Sequence, residues 1–287
     1  MPTDPEPLLR RLAECHRAAP EQFVPWHVGD ETVGWVHRER HERLAVAFGC
    51  RPDRLQLPGV DGAERSGRVA TFVAALAAAG EVRAPTGEYY PVRSPRDGML
   101  LLQVDRCAVP WLGVPSEGVH LNGYVRTAGE LRLWLAVRAR GKATFPGCLD
   151  NLVAGGQSLG YDAATTLAKE CGEEAAIPAE IASAARYVAR HAYRQQDGLA
   201  LKVDTLHCYD LELPVDFVPT PNDGEVESFR LWSVDEVLAS LAGAAAWKPN
   251  SALVTIDFLL RAGIFDAWPT AARAALVAGL RGPQPAG

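Results

Sequence analysis

Apolar positions recur at helical spacing near both ends of the chain and at strand spacing in its middle. Pro7 to Ala18 places Leu8, Leu9 and Leu12 on one side of a short helix, and Thr32 to Val36 reads as a strand after the Gly29-Asp30 turn. Ser66 is placed to cap a helix carrying Val69, Phe72, Val73 and Leu76, which Gly80 stops. A turn-rich stretch, GEVRAPTGEYYPVRSPRDG, then leads into the apolar run Met99 to Val104. From Val119 the period changes to two. In VHLNGYV, Val119, Leu121 and Val125 face one way and His120, Asn122 and Tyr124 the other; in LRLWLAV, Leu131, Leu133, Leu135 and Val137 share a face, and Gly129 turns the chain between the two. That is a hairpin. Leu149 to Ala154 is a further apolar run, closed by Gly155-Gly156, and a helix follows from Asp162. Strands are expected at Leu206 to Leu213 and Val226 to Trp232. Ser233 and Glu236 form a capping box opening a helix from Val234 to Leu241. Two more helices, Ala252 to Arg261 and Ala271 to Leu280, complete the pattern.

Composition narrows the function classes. The chain has 287 residues, long enough for two domains, and 48% hydrophobic with 22% charged residues is ordinary for a globular protein. Against 35 acidic residues stand 29 basic ones, a net charge of -6, so nothing points to a nucleic-acid or anionic-membrane partner. The acidic, Pro-containing start MPTDPEPLLRRLAECH lacks the basic lead and apolar core of a signal peptide, and no apolar run approaches the roughly 20 residues of a membrane span. The cysteines, Cys15, Cys50, Cys107, Cys148, Cys171 and Cys208, contain no C-x-x-C pair and read as free thiols of a reducing cytoplasm. His37 and His41 in HRERH have the spacing of zinc ligands on a helix, but a solvated charged face accounts better for Arg-Glu-Arg between them.

The informative stretch is GGQSLGYDAATTLAKECGEEAAIP, Gly155 to Pro178. Asp162 is the expected N-cap, and Ala164, Leu167, Ala168, Cys171 and Ala175 form the face that packs on a sheet. At ~100° per residue, Glu170, Glu173 and Glu174 crowd about 100° of arc on an adjacent face. Crowded carboxylates repel unless a cation shares the site, and hard oxygen ligands suit Mg²⁺ or Mn²⁺. The double glycine lets the backbone approach a ligand closely and offer a carbonyl. An acidic, solvent-facing stripe is the competing account.

This stretch resembles the Nudix hydrolase motif, G-x5-E-x7-R-E-U-x-E-E-x-G-U with U apolar. Gly155 aligns first, then Lys169-Glu170-Cys171-Gly172-Glu173-Glu174, then Ala176 and Ile177. At ~7% usage each, one Gly and three Glu at fixed spacing arise by chance in such a chain on the order of 1 time in 100. Three positions depart: Tyr161 stands where the first Glu belongs, Lys169 replaces Arg, and Ala176 replaces the late Gly. The family's Glu–Arg brace must therefore be built differently here. VHLNGYV, FPGCLDNLVAGG, KECGEEAAIP and PNDGEVESFRLWSVDEV are similar to the Nudix branch found fused to thiamin pyrophosphokinase in some fungi, and FVPWHVGDETVGWV and DRCAVPWLG to that branch's N-terminal domain of unassigned function. The likeness is strong from Val119 to Asp257 and weaker before.

The resemblance implies an α/β/α sandwich of Nudix type at residues 116–287, behind a smaller N-terminal α+β accessory domain at 1–115. Trp111-Leu112-Gly113 runs into the first Nudix strand with no Gly/Ser-rich linker, so the two should pack rigidly. It implies metal binding by Gly155, Glu170, Glu173 and Glu174, and hydrolysis of thiamine diphosphate or its damaged forms to the monophosphate. Arg138 or Lys142 is expected to neutralise a phosphate, with a solvated hairpin end, including Arg140, as the alternative. Asp150 and Asn151 are expected to hold the turn, with contact to substrate as the alternative. Glu225, in the acidic loop PVDFVPTPNDGEVE, is the first candidate for general base, Glu227 the second and Glu174 the alternative on the helix. Trp26, Trp35, Trp111 and Trp134 read as core, with stacking on a thiamin ring as the alternative and no single one singled out.

Three functions are weighed. A Mg²⁺-dependent pyrophosphohydrolase of a small diphosphate, thiamine diphosphate or another such as ADP-ribose, fits best. An isomerase of isopentenyl-diphosphate type is set aside because Ala154 stands where its Cys is needed. A non-catalytic ligand sensor would have lost the Glu core, which here survives. The oligomeric state is not readable.

Overall fold

The computed structural model describes residues 4–127 and 129–282. Ten elements of the first third and the hairpin run in the order α1 (Glu6–Cys15), β1 (Phe23–Val28), β2 (Glu31–His37), α2 (His41–Phe48), α3 (Gly62–Ala78), β3 (Tyr89–Arg93), β4 (Leu100–Asp105), α4 (Val109–Leu112), β5 (Pro115–Thr127) and β6 (Glu130–Arg138). The rest is β7 (Leu149–Asp150), β8 (Val153–Gly156), α5 (Ala163–Ala175), α6 (Ala179–Ala182), β9 (Arg186–Asp197), β10 (Ala200–Glu212), β11 (Val226–Ser233), α7 (Val234–Ala242), α8 (Pro249–Arg261) and α9 (Thr270–Arg281).

The period-two segments assemble into a seven-stranded sheet, β11-β6-β5-β10-β9, with β7 on β6 and β8 on β5. β5 pairs with β10 in parallel and with the others antiparallel. Its alternation feeds two cores: Val119, Leu121 and Val125 pack with Leu167 and Cys171 of α5, while Tyr124 meets the opposite layer. That layer is α7, α8, α9 and, from the far end of the chain, α1, whose Leu8, Leu12 and Cys15 are buried with Leu253 and Leu276. The result is an α/β/α sandwich with a smaller α+β domain, the fold class the resemblance implies. No helix among the described residues is long and apolar enough to cross a membrane.

The smaller domain has its own core, built on Trp26, Phe48, Phe72 and Trp111 under two two-stranded sheets. It touches the sandwich along a continuous seam: Leu159 N–H donates to Tyr89 O at 2.7 Å, Arg40 to Leu199 O at 3.0 Å, and the Arg194 guanidinium stacks 4.6 Å over Trp35.

Several elements differ from the sequence reading. Asp61, not Ser66, caps α3 through the Glu64 N–H, because the helix starts a turn earlier; Ser66 instead donates to Gly62 O. The turn-rich stretch contains β3, which survives its Pro91 as one arm of a hairpin with β4. β9 was not anticipated, since RYVARHAYRQQD is mostly polar with no clear alternation, and pairing with β10, together with the packing of Val188, Ala189 and Tyr193, holds it. His37 and His41 do not share a helix: His37 ends β2, buried edge-on to Phe23, and His41 begins α2. The charged face expected there is a single turn of Arg38 to Arg40.

Candidate active site

The site grows from the strand-to-helix turn. β8 lies on β5 with Val119 opposite Gly155 and Gly118 opposite Gly156. Both glycines are demanded by close approach: a Cβ at Gly155 would stand 2.3 Å from the Glu170 carboxyl carbon, and one at Gly156 would stand 1.7 Å from the Tyr90 hydroxyl of the smaller domain. Asp162 caps α5, accepting from the Thr165 N–H at 2.7 Å. The helix closes at Ala176 in the left-handed conformation, φ 51°, where glycine would be unstrained. The turn's brace comes from the neighbouring domain: Ser158 donates to Glu88 at 2.7 Å, and Glu88 pairs with Arg106 at 2.7 Å.

α5 turns its carboxylates in three directions. Ala164 and Ala168, expected on the sheet-facing stripe, are exposed, and Glu174 takes a place in that stripe beside Leu167, Cys171 and Ala175. Glu174 accepts from the Ala154 N–H at 2.9 Å; burial pushes its carboxyl up to about 8, and the Asp150 and Glu170 charges add to the effect. Burial also raises Glu170. Glu173 is exposed. Lys169 bridges the two, 3.3 Å from Glu170 and 2.5 Å from Glu173.

Among the described residues no three His, Cys, Asp or Glu side chains close into a metal cage. The donor set nevertheless suits a hard divalent cation: Gly155 leaves a cradle against the Glu170 carboxylate, and Glu170 and Glu173 already share one cation, the Lys169 ammonium. Glu170, Glu173, Glu174 and the Gly155 carbonyl are the groups from which the resemblance expects a Mg²⁺ or Mn²⁺ site; of these, Gly155, Glu170 and Glu173 share the cavity wall.

Arg138 is engaged inside the protein rather than left for a ligand. Its guanidinium pairs with Asp150 at 2.8 Å and donates to Thr144 O at 3.1 Å and Phe145 O at 3.2 Å, fixing the loop between β6 and β7. Asp150 also holds Lys248 at 3.0 Å and accepts from Ser251. Burial alone would raise the Asp150 carboxyl; Lys248 and Arg138 outweigh it and hold it well below the carboxylate range. Asn151 bonds Asn122, Thr255 and His120, so both residues have the turn-holding place expected of them. His120 itself is pushed down to about 4, chiefly by burial.

Lys142 pairs with Glu225, and Arg140 with Glu227 at the exposed hairpin end. Burial raises Glu225, but the Lys142 ammonium and the field of Arg106 hold its carboxyl below normal. Trp26, Trp111 and Trp134 are buried, as expected, and Trp35 is half-buried.

Between the two domains lies a cavity of about 950 Å³. Gly155, Glu170, Glu173, Lys142, Phe145, Lys202 and Glu225 line it, and Tyr90, Arg106 and Trp111 line it from the smaller domain. Glu174 does not line it. Sequence reasoning missed Lys202, Lys248, His120 and, apart from Trp111, the smaller-domain wall. Their only signal was polar residues at inward strand positions, as in His120 and Asn122 of VHLNGYV.

Residues 7–116 match a domain of unknown function, DUF4743, and residues 123–252 match the NUDIX domain. Two chloroplastic proteins of Arabidopsis thaliana are similar along most of the chain. Nudix hydrolase 20 is 37% identical over 89% of this chain and 72% of its own length, and Nudix hydrolase 24 is 34% identical over 89% and 73%. A crystal structure of the Deinococcus radiodurans protein DR0079 overlays with a TM-score of 0.44 at 22% identity, covering 58% of this chain and 98% of that one.

Proposed function

Since the chain belongs to the Nudix hydrolase family, we propose that it is a Mg²⁺- or Mn²⁺-dependent pyrophosphohydrolase converting thiamine diphosphate, or an oxidised or otherwise damaged form, to the monophosphate and phosphate. Gly155, Glu170 and Glu173 on the wall of the interdomain cavity, with Glu174 buried on the same helix, carry the hydrolytic reading. A bound divalent ion supplies charge to the diphosphate oxygens and acidifies water. The rest falls to the chain's own groups. Glu225 lines the cavity and is held ionised by Lys142, which supports it as the group that takes a proton from the attacking water. Glu174 has a pKa nearer neutrality, but it does not line the cavity and its oxygen is held by the Ala154 N–H. Geometry takes precedence over pKa, which favours Glu225. Lys142, beside Glu225, is the cation offered to a phosphate oxygen; Arg138 positions the loop that carries it.

The thiamin part rests on the resemblance of KECGEEAAIP, FPGCLDNLVAGG and PNDGEVESFRLWSVDEV to the thiamin pyrophosphokinase-associated branch. Cytoplasmic residence is proposed on the six free cysteines, although the plant relatives are chloroplastic. The test compares kcat/KM for thiamine diphosphate, its oxo and oxy analogues, ADP-ribose and nucleoside triphosphates at identical Mg²⁺. A thiamin compound should lead. ADP-ribose or a nucleotide leading by tenfold, about 1.4 kcal/mol of transition-state stabilisation, would overturn the substrate and leave the family standing.

A further inference from the structure

The turn from β8 into α5, residues 155–161, makes no hydrogen bond to the body of α5 among the described residues. Tyr161 is exposed, and Lys169 of α5 turns to Glu170 and Glu173 rather than back to the turn. Beyond Gln157, whose N–H donates to Glu117 O of β5 at 2.9 Å, the tethers cross to the smaller domain: the Ser158 hydroxyl donates to Glu88 Oε1 at 2.7 Å and the Leu159 N–H to Tyr89 O at 2.7 Å. A further contact is steric. Tyr90, buried in the smaller domain's core, sets its hydroxyl 1.7 Å from the point that a Cβ on Gly156 would occupy. These contacts come from one stiffened end of the β3–β4 hairpin. Asp105, opposite Tyr89 in the ladder, accepts from the N–H groups of Thr86 at 2.9 Å, Gly87 at 2.8 Å and Cys107 at 3.0 Å, which fixes the backbone on both sides of the pair. The Arg106 N–H then donates to Glu88 O at 2.8 Å, and its guanidinium pairs with Glu88 Oε2 at 2.7 Å. Both carboxylate oxygens of Glu88 are thereby committed, one to Arg106 and one to the turn.

We propose that the smaller domain is a positioning element of the hydrolytic site: Glu88 and Tyr90 hold the turn of residues 155–159 against Glu170, and so set the affinity of the carboxylate end for a divalent cation. This rests on the metal-dependent hydrolase reading of that end. Only 2.3 Å separates the Glu170 carboxyl carbon from the point that a Gly155 Cβ would occupy, so any displacement of the turn alters the spacing of the two directly. Mg²⁺ demands near-ideal geometry at ligand distances of about 2.1 Å, which makes its affinity sensitive to such a displacement. Glu88 and Tyr90 act through the turn, as residues behind a ligand do when they fix its orientation. The domain is then part of the hydrolase rather than an appendage to it.

The experiment uses the full chain and measures Mn²⁺ binding without substrate, by electron paramagnetic resonance, beside Tm and the Mg²⁺ dependence of thiamine diphosphate and ADP-ribose hydrolysis. E88A and S158A should each weaken Mn²⁺ binding about tenfold. The double variant should lose no more than either, because both remove the same tether. G156A should weaken binding as well, by driving a methyl group into the Tyr90 hydroxyl, and Y90F/G156A should recover part of that loss. R194A breaks the stack on Trp35, a contact of the same seam away from the turn, and should leave Mn²⁺ affinity within about twofold of wild type whatever it does to Tm. Unchanged Mn²⁺ affinity in E88A and S158A, additive losses in the double variant, or an equal loss in R194A would overturn the positioning role. An unaltered chain that binds no Mn²⁺ would overturn it together with the metal site. The expected Mn²⁺ pattern with no hydrolysis of either diphosphate would instead overturn the hydrolase reading and leave the positioning role standing.

Discussion

Asp150 and Glu174 are both almost wholly buried carboxylates, serving the same short segment from β7 to β8, and their pKa values move in opposite directions. Asp150 has two cations, a hydroxyl and the Asn151 N–H around it. Glu174 has one backbone N–H and two acidic neighbours. Burial penalises both charges alike, and the partners decide the sign. Asp150 is therefore a clamp that ties β6, β7 and α8 together. Glu174 is an under-compensated charge that gains from a cation nearby, which is the condition expected of a metal site's inner carboxylate.

The sharpest way to break this comparison is D150N. It leaves Arg138 and Lys248 buried without their anion, and about 3–5 kcal/mol of unfolding free energy should be lost in urea denaturation. A loss below 1 kcal/mol would remove Asp150 from the clamp. The same cluster has a pH signature through His120. Its folded pKa, about 4, lies below the unfolded value near 6.5, so the unfolded state binds the proton first as pH falls. Stability is full above pH 6.5 and declines toward pH 4, by on the order of 3 kcal/mol. H120N should flatten that window; an equal slope in the variant assigns it elsewhere. E174Q, by contrast, replaces a carboxyl that burial already holds largely protonated near neutral pH. Unfolding free energy should stay within about 1 kcal/mol of wild type, while kcat/KM with Mg²⁺ falls about 100-fold, the upper range for losing a partner of a metal site. Unchanged turnover at limiting Mg²⁺ would sink the metal role. The smallest effect is A176G, which relieves the left-handed Ala at the end of α5 and should add about 0.5–1 kcal/mol to stability without touching turnover.

Much of the active-site half was readable in linear order because its determinants are local. The Gly155-to-Glu174 segment carries its own N-cap at Asp162, its own turn glycines and its own carboxylates, and the capping box at Ser233 and Glu236 forms as spaced. Local spacing also set the β5–β6 hairpin and three of the C-terminal helices. What spacing along one segment does not carry is the company a side chain keeps across the fold. Arg138, read with Lys142 as a candidate for a phosphate, lines the cavity but also holds Asp150, twelve residues away, and the carbonyls of a folded-back loop, which no local spacing announces. Glu174 read as one of three equivalent acids until the sheet covered it and left Glu170 and Glu173 to share Lys169. The helix at the start of the chain packs on helices at its end, and the cavity is closed by a domain whose wall residues share no motif. The sequence by itself determined most of the elements, the acidic helix and the family, because hydrophobic period and turn chemistry act over a few residues. Only the tertiary structure decided which charges are paired, which are buried and which face the cavity, because desolvation and Coulomb energy depend on distances between segments far apart in the chain.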